Sequence, residues 1–257
     1  MEINLHQRIA IVTGSTAGIG RATAEALTAA GAKVAVNGRD ERRVKEVADQ
    51  LNGIAVVADV GTAEGTAAMI EKVPDADILV NNAGIFGAQP VFEIPDKEWL
   101  RFFEVNVLSG VRLTRHYAPR MAARGWGRVI FVSSEAAIQT PTNMVQYGTT
   151  KTAQLAVSRG IAQEVAGTGV TVNAVLPGPT ISDGVLSMWD DLYPNLDRHD
   201  QEQEFVAQGR AAGSLLRRLI RPTEVASLIT YLASEQASAT TGCALGVDGG
   251  LVPTIFP

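Results

Sequence analysis

Seven short runs rich in β-branched residues recur along the chain: RIAIVT at 8–13, KVAVN at 33–37, GIAVVA at 53–58, DILVNN at 77–82, RVIFVS at 128–133, VTVNAV at 170–175 and CALGVD at 243–248. The early ones are almost wholly apolar rather than alternating, which is the pattern of strands buried on both faces. Amphipathic stretches long enough for crossover helices separate them. The pattern therefore predicts an α/β fold: a doubly wound parallel sheet of about seven strands, covered by helices on both sides. One segment breaks the rhythm. From 178 to 221 the chain turns polar and acidic (SDGVLSMWDDLYPNLDRHDQEQE), with large apolar residues placed irregularly. An insertion of that length in a compact fold is usually a lid or binding loop, the other reading being a helical excursion that only packs.

Composition narrows the class. At 257 residues the chain matches a single α/β unit of about 250 residues, and with no repeat or flexible linker one domain spanning 1–257 is expected. Hydrophobic residues at 46% and charged residues at 19% fit a globular protein and exclude a disordered one. The net charge of −5 lacks the basic field that nucleic acid or an anionic membrane requires, so neither partner is expected. The amino end MEINLHQR carries an acid and no apolar core, and no run approaches the roughly eighteen residues of a membrane span, so a cytoplasmic protein is expected. Cys243 has no second cysteine to pair with and is expected to be a buried structural thiol. His6, His116 and His199 are scattered without ligand spacing, and no metal is expected.

Directly after the first apolar run comes TGSTAGIG, Gly14, Ser15, Thr16, Gly18, Ile19 and Gly20 among its residues, followed by a helical stretch that stops at Gly31. A glycine-rich turn between strand and helix offers backbone N–H groups and a positive helix end to phosphate, as in a Rossmann-type dinucleotide fold. The spacing is G-x-x-x-G-x-G rather than G-x-G-x-x-G, so the support comes from context. At the end of the second run lies Asn37-Gly38-Arg39-Asp40. Arg39 offers a donor fork matched to a 2′-phosphate, which favours NADP over NAD. Asp40 is either the acid that binds a free ribose hydroxyl or the N-cap of the helix that follows. Asp59, next to Val60 after the third run, either meets the adenine amino group or caps the next helix. Asn82, Ala83 and Gly84 close the fourth run, where a doubly wound sheet opens its ligand crevice.

The chemistry is expected at QYGTTK. Four residues apart on a helix, the Tyr147 phenol and the Lys151 ammonium share one face. Ser134 ends the fifth run thirteen residues before Tyr147, and strand ends deliver side chains to the same crevice. At this point the chain resembles the short-chain dehydrogenase/reductase family over nearly its whole length. The shared motifs are TGSTAGIG, NNAG at 81–84, Asn106 in EVNVLSG, Ser134, Y-G-T-T-K at 147–151, PGPTIS at 177–182 and VDGG at 247–250.

The resemblance implies a tetrad of Asn106, Ser134, Tyr147 and Lys151. Hydride reaching a carbonyl carbon leaves an alkoxide, so a proton donor has to lie within hydrogen-bond reach. Bringing a tyrosine from about 10 to about 7 takes roughly 4 kcal/mol of differential stabilisation, which a nearby ammonium and an oxidised nicotinamide can supply. Ser134 would polarise the substrate oxygen. In the family, Lys151 would also bind the ribose, and Asn106 would fix a water linking the lysine to solvent; a mid-helix structural asparagine is the alternative. Ser182 takes the place of a threonine beside the nicotinamide carboxamide, and Pro177 and Gly178 belong to the same cofactor wall. Glu135 stands where the family more often has a small residue; it either contacts a polar substrate group or faces solvent, the latter being expected. Phe86, Ile138, Met188 and Trp189 could wall the substrate pocket. The implied function is NADPH-preferring hydride transfer between nicotinamide and a ketone or secondary alcohol, on a 3-oxoacyl thioester, a sugar or a cyclic alcohol. Alternatives on this scaffold are a lyase or epimerase and a silent dinucleotide-binding regulator. Family members assemble through the helices around 97–121 and 146–166 and the last strand, so a homo-oligomer, tetramer or dimer, is expected. The apolar tail LVPTIFP is expected to be buried against the body of the protein or a neighbouring subunit.

Overall fold

Each apolar run becomes one strand. A computed structural model describes residues 2–255 and places β1 at Ile9–Val12, β2 at Lys33–Gly38, β3 at Ile54–Val57, β4 at Ile78–Asn81, β5 at Gly127–Val132, β6 at Val170–Pro177 and β7 at Ala244–Val247. They form one sheet in the order β3-β2-β1-β4-β5-β6-β7, every neighbouring pair parallel. The order reverses between β1 and β4, and a crevice opens there at the carboxyl ends of the strands. The helices are α1 (Gly18–Ala29), α2 (Glu41–Gln50), α3 (Ala63–Lys72), α4 (Asp96–Phe103), α5 (Ser109–Ala123), α6 (Val145–Glu164), α7 (Asp183–Leu192), α8 (Arg198–Gln208) and α9 (Pro222–Leu232).

Alternation along each strand explains why the strands are mostly apolar. Ala10, Val12, Ile78, Val80, Ile130 and Val132 pack against Leu27 of α1 and Val225 and Ile229 of α9. Their neighbours Ile11, Leu79, Val129 and Phe131 point the other way, onto Met69 of α3, Leu113, Tyr117 and Met121 of α5 and Ala162 of α6. Successive side chains face opposite sides of a sheet, so a sheet covered twice makes most positions of its central strands apolar, with Asn81, Arg128, Thr171 and Asn173 among the buried polar exceptions.

Several local expectations change. Asp40 is the N-cap of α2, its carboxylate accepting from Arg43 N at 3.0 Å. Asp59 does not cap α3; Thr62 does, because the chain needs three more residues to turn after β3. The helix expected around 97–121 is interrupted by a π turn at Glu104–Leu108, with Ser109 N–H reaching back to the Glu104 carbonyl, so Asn106 lies in a widened turn rather than in a regular helix. The polar insertion folds into α7 and α8 over a small core of its own, Trp189, Val206, Ala211 and Leu219. Its two ends are pinned together by a parallel bridge between Thr180 and Ile220. Cys243 is exposed, not buried, since it precedes an edge strand whose residues are only partly covered. In the tail, Leu251 is buried but Ile255 is exposed, and Phe256 and Pro257 lie outside the described residues.

Candidate active site

The turn between β1 and α1 is built by mutual hydrogen bonds. Gly14 and Gly18 adopt φ of +64° and +54°, the left-handed region that glycine reaches without penalty. A Cβ on Gly20 would strike the Gly14 carbonyl and come within 2.5 Å of Asn82 Nδ2, whereas Gly18 faces open space. Asn37 and Ser15 hold each other: Ser15 N donates to the Asn37 carbonyl at 2.8 Å and Asn37 N donates to Ser15 Oγ at 2.9 Å. From β4, Asn82 Nδ2 donates to the Thr13 and Gly14 carbonyls at 2.8 and 3.1 Å, and the N–H groups of Asn82 and Ala83 both reach Thr13 Oγ1 at 2.9 Å. The NNAG segment thus clamps the glycine turn against the sheet. At the far end, a Cβ on Gly38 would lie 2.9 Å from Thr16 Cγ2, so glycine is what lets the turn close over β2. Beyond it the Arg39 side chain is 77% exposed, with the Asp59 carboxylate at 4.0 Å.

The other wall comes from β5 and α6. Ser134, at the end of β5, is buried. Gly148 brings α6 close: a Cβ there would lie 2.5 Å from Thr140 Cγ2 and 3.0 Å from the Ala136 carbonyl, so only glycine lets the first turn of α6 press on the segment after Ser134. That packing places Tyr147 and Ser134 in one cleft. Lys151 is buried, its Nζ 5.6 Å from the centroid of the Tyr147 ring and donating to the Val132 carbonyl at 2.8 Å. Burial pushes its pKa down to about 8, which still leaves it mostly an ammonium at neutral pH. Asn106, also buried, accepts from Ile85 N at 2.8 Å and donates through Nδ2 to the Ile85 carbonyl and Thr150 Oγ1, both at 3.0 Å. It fixes the chain after NNAG to α6.

A family model described as short chain dehydrogenase matches residues 8–191. The chain belongs to the short-chain dehydrogenase/reductase family. Within that family, the protein named uncharacterized oxidoreductase YvaG of Bacillus subtilis (strain 168) is 47% identical over 265 residues, spanning 100% of both chains. The 3-oxoacyl-(acyl-carrier-protein) reductase FabG of Escherichia coli (strain K12) is 33% identical over 255 residues, with 97% of this chain and 99% of that one covered. Among solved structures, L-sorbose reductase from Gluconobacter frateurii, complexed with NADPH and L-sorbose, matches with a TM-score of 0.92 at 32% identity, over 99% of this chain and 100% of that one.

In this family member a cleft of about 510 Å³ collects Gly18, Ile19, Gly20, Asn82, Gly84, Ser134, Tyr147, Lys151, Pro177, Gly178 and Ser182. Gly14, Ser15, Thr16 and Ala83 form the turn and clamp behind it, with the Ser15 side chain spent on the turn's own bonds. Arg39 and Asp59 follow β2 and β3, while Val60 is packed into the core under α3. Ser182 is the N-cap of α7, accepting from Val185 N at 3.3 Å. Phe86 lines the cleft; Trp189 does not, being buried in the small core of the insertion, and neither Met188 nor Ile138 reaches the lining. Phe205, Ala211 and Leu219 do line it, and no periodicity marked them, because the insertion's own fold decides which of its apolar residues turn inward. Among the described residues, no group of three or more His, Cys, Asp or Glu could hold a metal ion, and no helix is long and apolar enough to cross a membrane.

Glu135 departs from expectation most clearly. It is 4% exposed and lines the cleft, because the chain turns into a single 3₁₀ turn at Glu135–Ala137 directly behind the end of β5. Ser134 Oγ donates to Glu135 Oε2 at 2.5 Å and accepts from Ala136 N at 3.1 Å. The carboxylate therefore holds the one proton that the serine has to give.

Proposed function

We propose that the protein is an NAD(P)-dependent oxidoreductase, preferring NADPH, that interconverts a hydroxyl-bearing ketone and a secondary alcohol, with Tyr147 as the acid/base. The observation that carries this is the meeting of Ser134, Tyr147 and Lys151 in the cleft whose other end is the glycine turn. The residues present fit a dinucleotide: Gly18 leaves open space at the amino end of α1, where phosphate is favoured, and a side chain at Gly20 would collapse the turn. Gly14 to Gly20 would hold the pyrophosphate, Arg39 the 2′-phosphate, Asp59 the adenine, Lys151 the ribose, and Pro177, Gly178 and Ser182 the nicotinamide side. Bound there, the nicotinamide supplies or accepts the hydride. NADPH is preferred because Asp40 is committed to capping α2, whereas the Arg39 guanidinium extends into solvent beside the groove.

The protein's own part is proton placement. Tyr147 gives its phenolic proton to the substrate oxygen as negative charge develops, and the Lys151 ammonium favours the phenolate left behind. Ser134 donates to the same oxygen once its hydroxyl swings away from Glu135. A substrate hydroxyl next to the carbonyl can then donate to the Glu135 carboxylate, which lines the cleft. An acceptor carboxylate in the cleft favours a sugar- or polyol-like ketone over an acyl thioester. The L-sorbose complex of the structural relative is in line with this choice.

A homo-oligomer is part of the same proposal: Phe92, Leu100 and Leu108, before and along α4 and the π turn, are all exposed apolar side chains. Light scattering would test it, a monomer refuting it. For the reaction, purified protein with NADPH is offered hydroxyketones and 3-oxoacyl thioesters while loss of reduced nicotinamide is followed. Turnover of the hydroxyketones, abolished in Tyr147→Phe and weakened for them in Glu135→Gln, is expected. NADPH binding with no turnover across the panel would move the assignment to a regulator, and a preference for thioesters would remove the role given to Glu135.

A further inference from the structure

The Lys151 ammonium has a partner that the tyrosine–lysine spacing does not announce. Gln154 lies three residues on along α6, is 2% exposed, and accepts from Lys151 Nζ through Oε1 at 3.3 Å. Its Nε2 donates to the Asn106 carbonyl at 2.5 Å, inside the π turn. Both ends of this carboxamide are fixed by chemistry. An ammonium can only donate and a carbonyl can only accept, so one orientation of the amide satisfies both and the flipped one satisfies neither. The family resemblance implied a water, fixed by Asn106, that links the lysine to solvent.

We infer that in this protein the Gln154 side chain takes the place of that water, as a positioning residue that fixes the Lys151 ammonium beside Tyr147 by tying it to the Asn106 carbonyl. A neutral amide suits the task better than a carboxylate. A carboxylate would pair with the ammonium and spend its field, whereas the amide accepts a hydrogen bond and leaves the full positive charge for the phenolate. The π turn gives the arrangement its geometry, since it carries the Asn106 side chain to Ile85 and Thr150 while its carbonyl meets α6 one turn further along. This inference rests on the reading of Tyr147 and Lys151 as the acid/base pair, and its test separates the two.

Three variants distinguish a positioning role from a packing role. Gln154→Leu fills the space and removes both bonds; Gln154→Ala opens a space that water can enter; Gln154→Glu adds charge. Two quantities are measured: the pH dependence of the stability of cofactor-free protein, which reports Lys151, and the pH profile of kcat for alcohol oxidation, which reports Tyr147. In Gln154→Leu the Lys151 midpoint is expected to fall and the Tyr147 midpoint to rise, each by about one pH unit, with kcat about tenfold lower on the acid limb and KM within about twofold. Gln154→Glu should raise the Lys151 midpoint. Gln154→Ala should be the less stable of the two apolar variants yet closer to wild type in both midpoints, because water restores the link. Packing alone predicts the opposite order, with Leu nearer wild type than Ala in every readout, and that order overturns the inference. So does an unmoved Lys151 midpoint in Gln154→Leu. Turnover that survives Tyr147→Phe would instead remove the acid/base reading, leaving the cofactor-free measurement to decide on Gln154 and Lys151.

Discussion

Replacing Lys151 by methionine is expected to remove activity and, at neutral pH, to remove an electrostatic burden on the fold. The lysine is 4% exposed, and burial lowers its pKa from 10.5 to about 8. A drop of about 2.5 pH units at about 1.4 kcal/mol each makes the charged form cost the native state about 3 kcal/mol. Below pH 8 the side chain is charged in both states and the whole cost is present. Between about pH 8 and 10.5 the native chain has released a proton that the unfolded chain still binds, so stability rises with pH; above that range the cost is gone. The bonds to the Val132 carbonyl and Gln154 vanish in the variant at every pH, so they move its curve up or down without changing its slope. The measurement is urea unfolding of cofactor-free protein followed by fluorescence of Trp99, Trp126 and Trp189, from pH 7 to about pH 11. The stability of Lys151→Met minus that of wild type should be about 3 kcal/mol larger at the acid end than at the alkaline end. Parallel curves would refute the reasoning, because they would mean that Lys151 titrates as it does in the unfolded chain.

Other substitutions test other parts of the site. Gly148→Ala forces Thr140 or α6 to move, and kcat should fall by about tenfold or more while the far-ultraviolet circular dichroism stays that of the folded protein. Arg39→Ala should raise KM for NADPH by about tenfold and leave that for NADH unchanged; an equal effect on both would end the 2′-phosphate assignment. Glu202, buried at the base of the insertion, meets Arg221 at 2.7 Å through both of its oxygens and accepts from Leu219 N at 2.8 Å. Burial alone would raise its pKa, but Arg221 and the Leu219 N–H outweigh burial and hold it below the ordinary glutamate range. That stabilisation is present above an unfolded pKa of about 4.5 and is lost as pH falls through the lower native value. Glu202→Gln should therefore make α7 and α8 sensitive to limited proteolysis at pH 7, with the rest of the chain still protected, and uniform protection would count against the anchor.

The sheet was legible because both of its faces are covered: a mostly apolar run declares itself as a strand, and seven such runs in βαβ spacing leave one topology class. The glycine turn was legible from its place between strand and helix, and Ser134, Tyr147 and Lys151 stood out by their spacing taken together with the family resemblance. What only the tertiary structure decided lies between elements distant in the chain. Gln154 gains meaning from a carbonyl forty-eight residues away that a π turn presents to it. Glu135 is buried because a 3₁₀ turn folds it behind β5, and Phe205 and Leu219 reach the cleft while Trp189 does not because the insertion builds its own small core. Periodicity reports which face of an element is apolar, but it carries no information on which of two apolar surfaces that face will meet. Packing settles that choice, and with it the polar partners of Lys151 and Ser134.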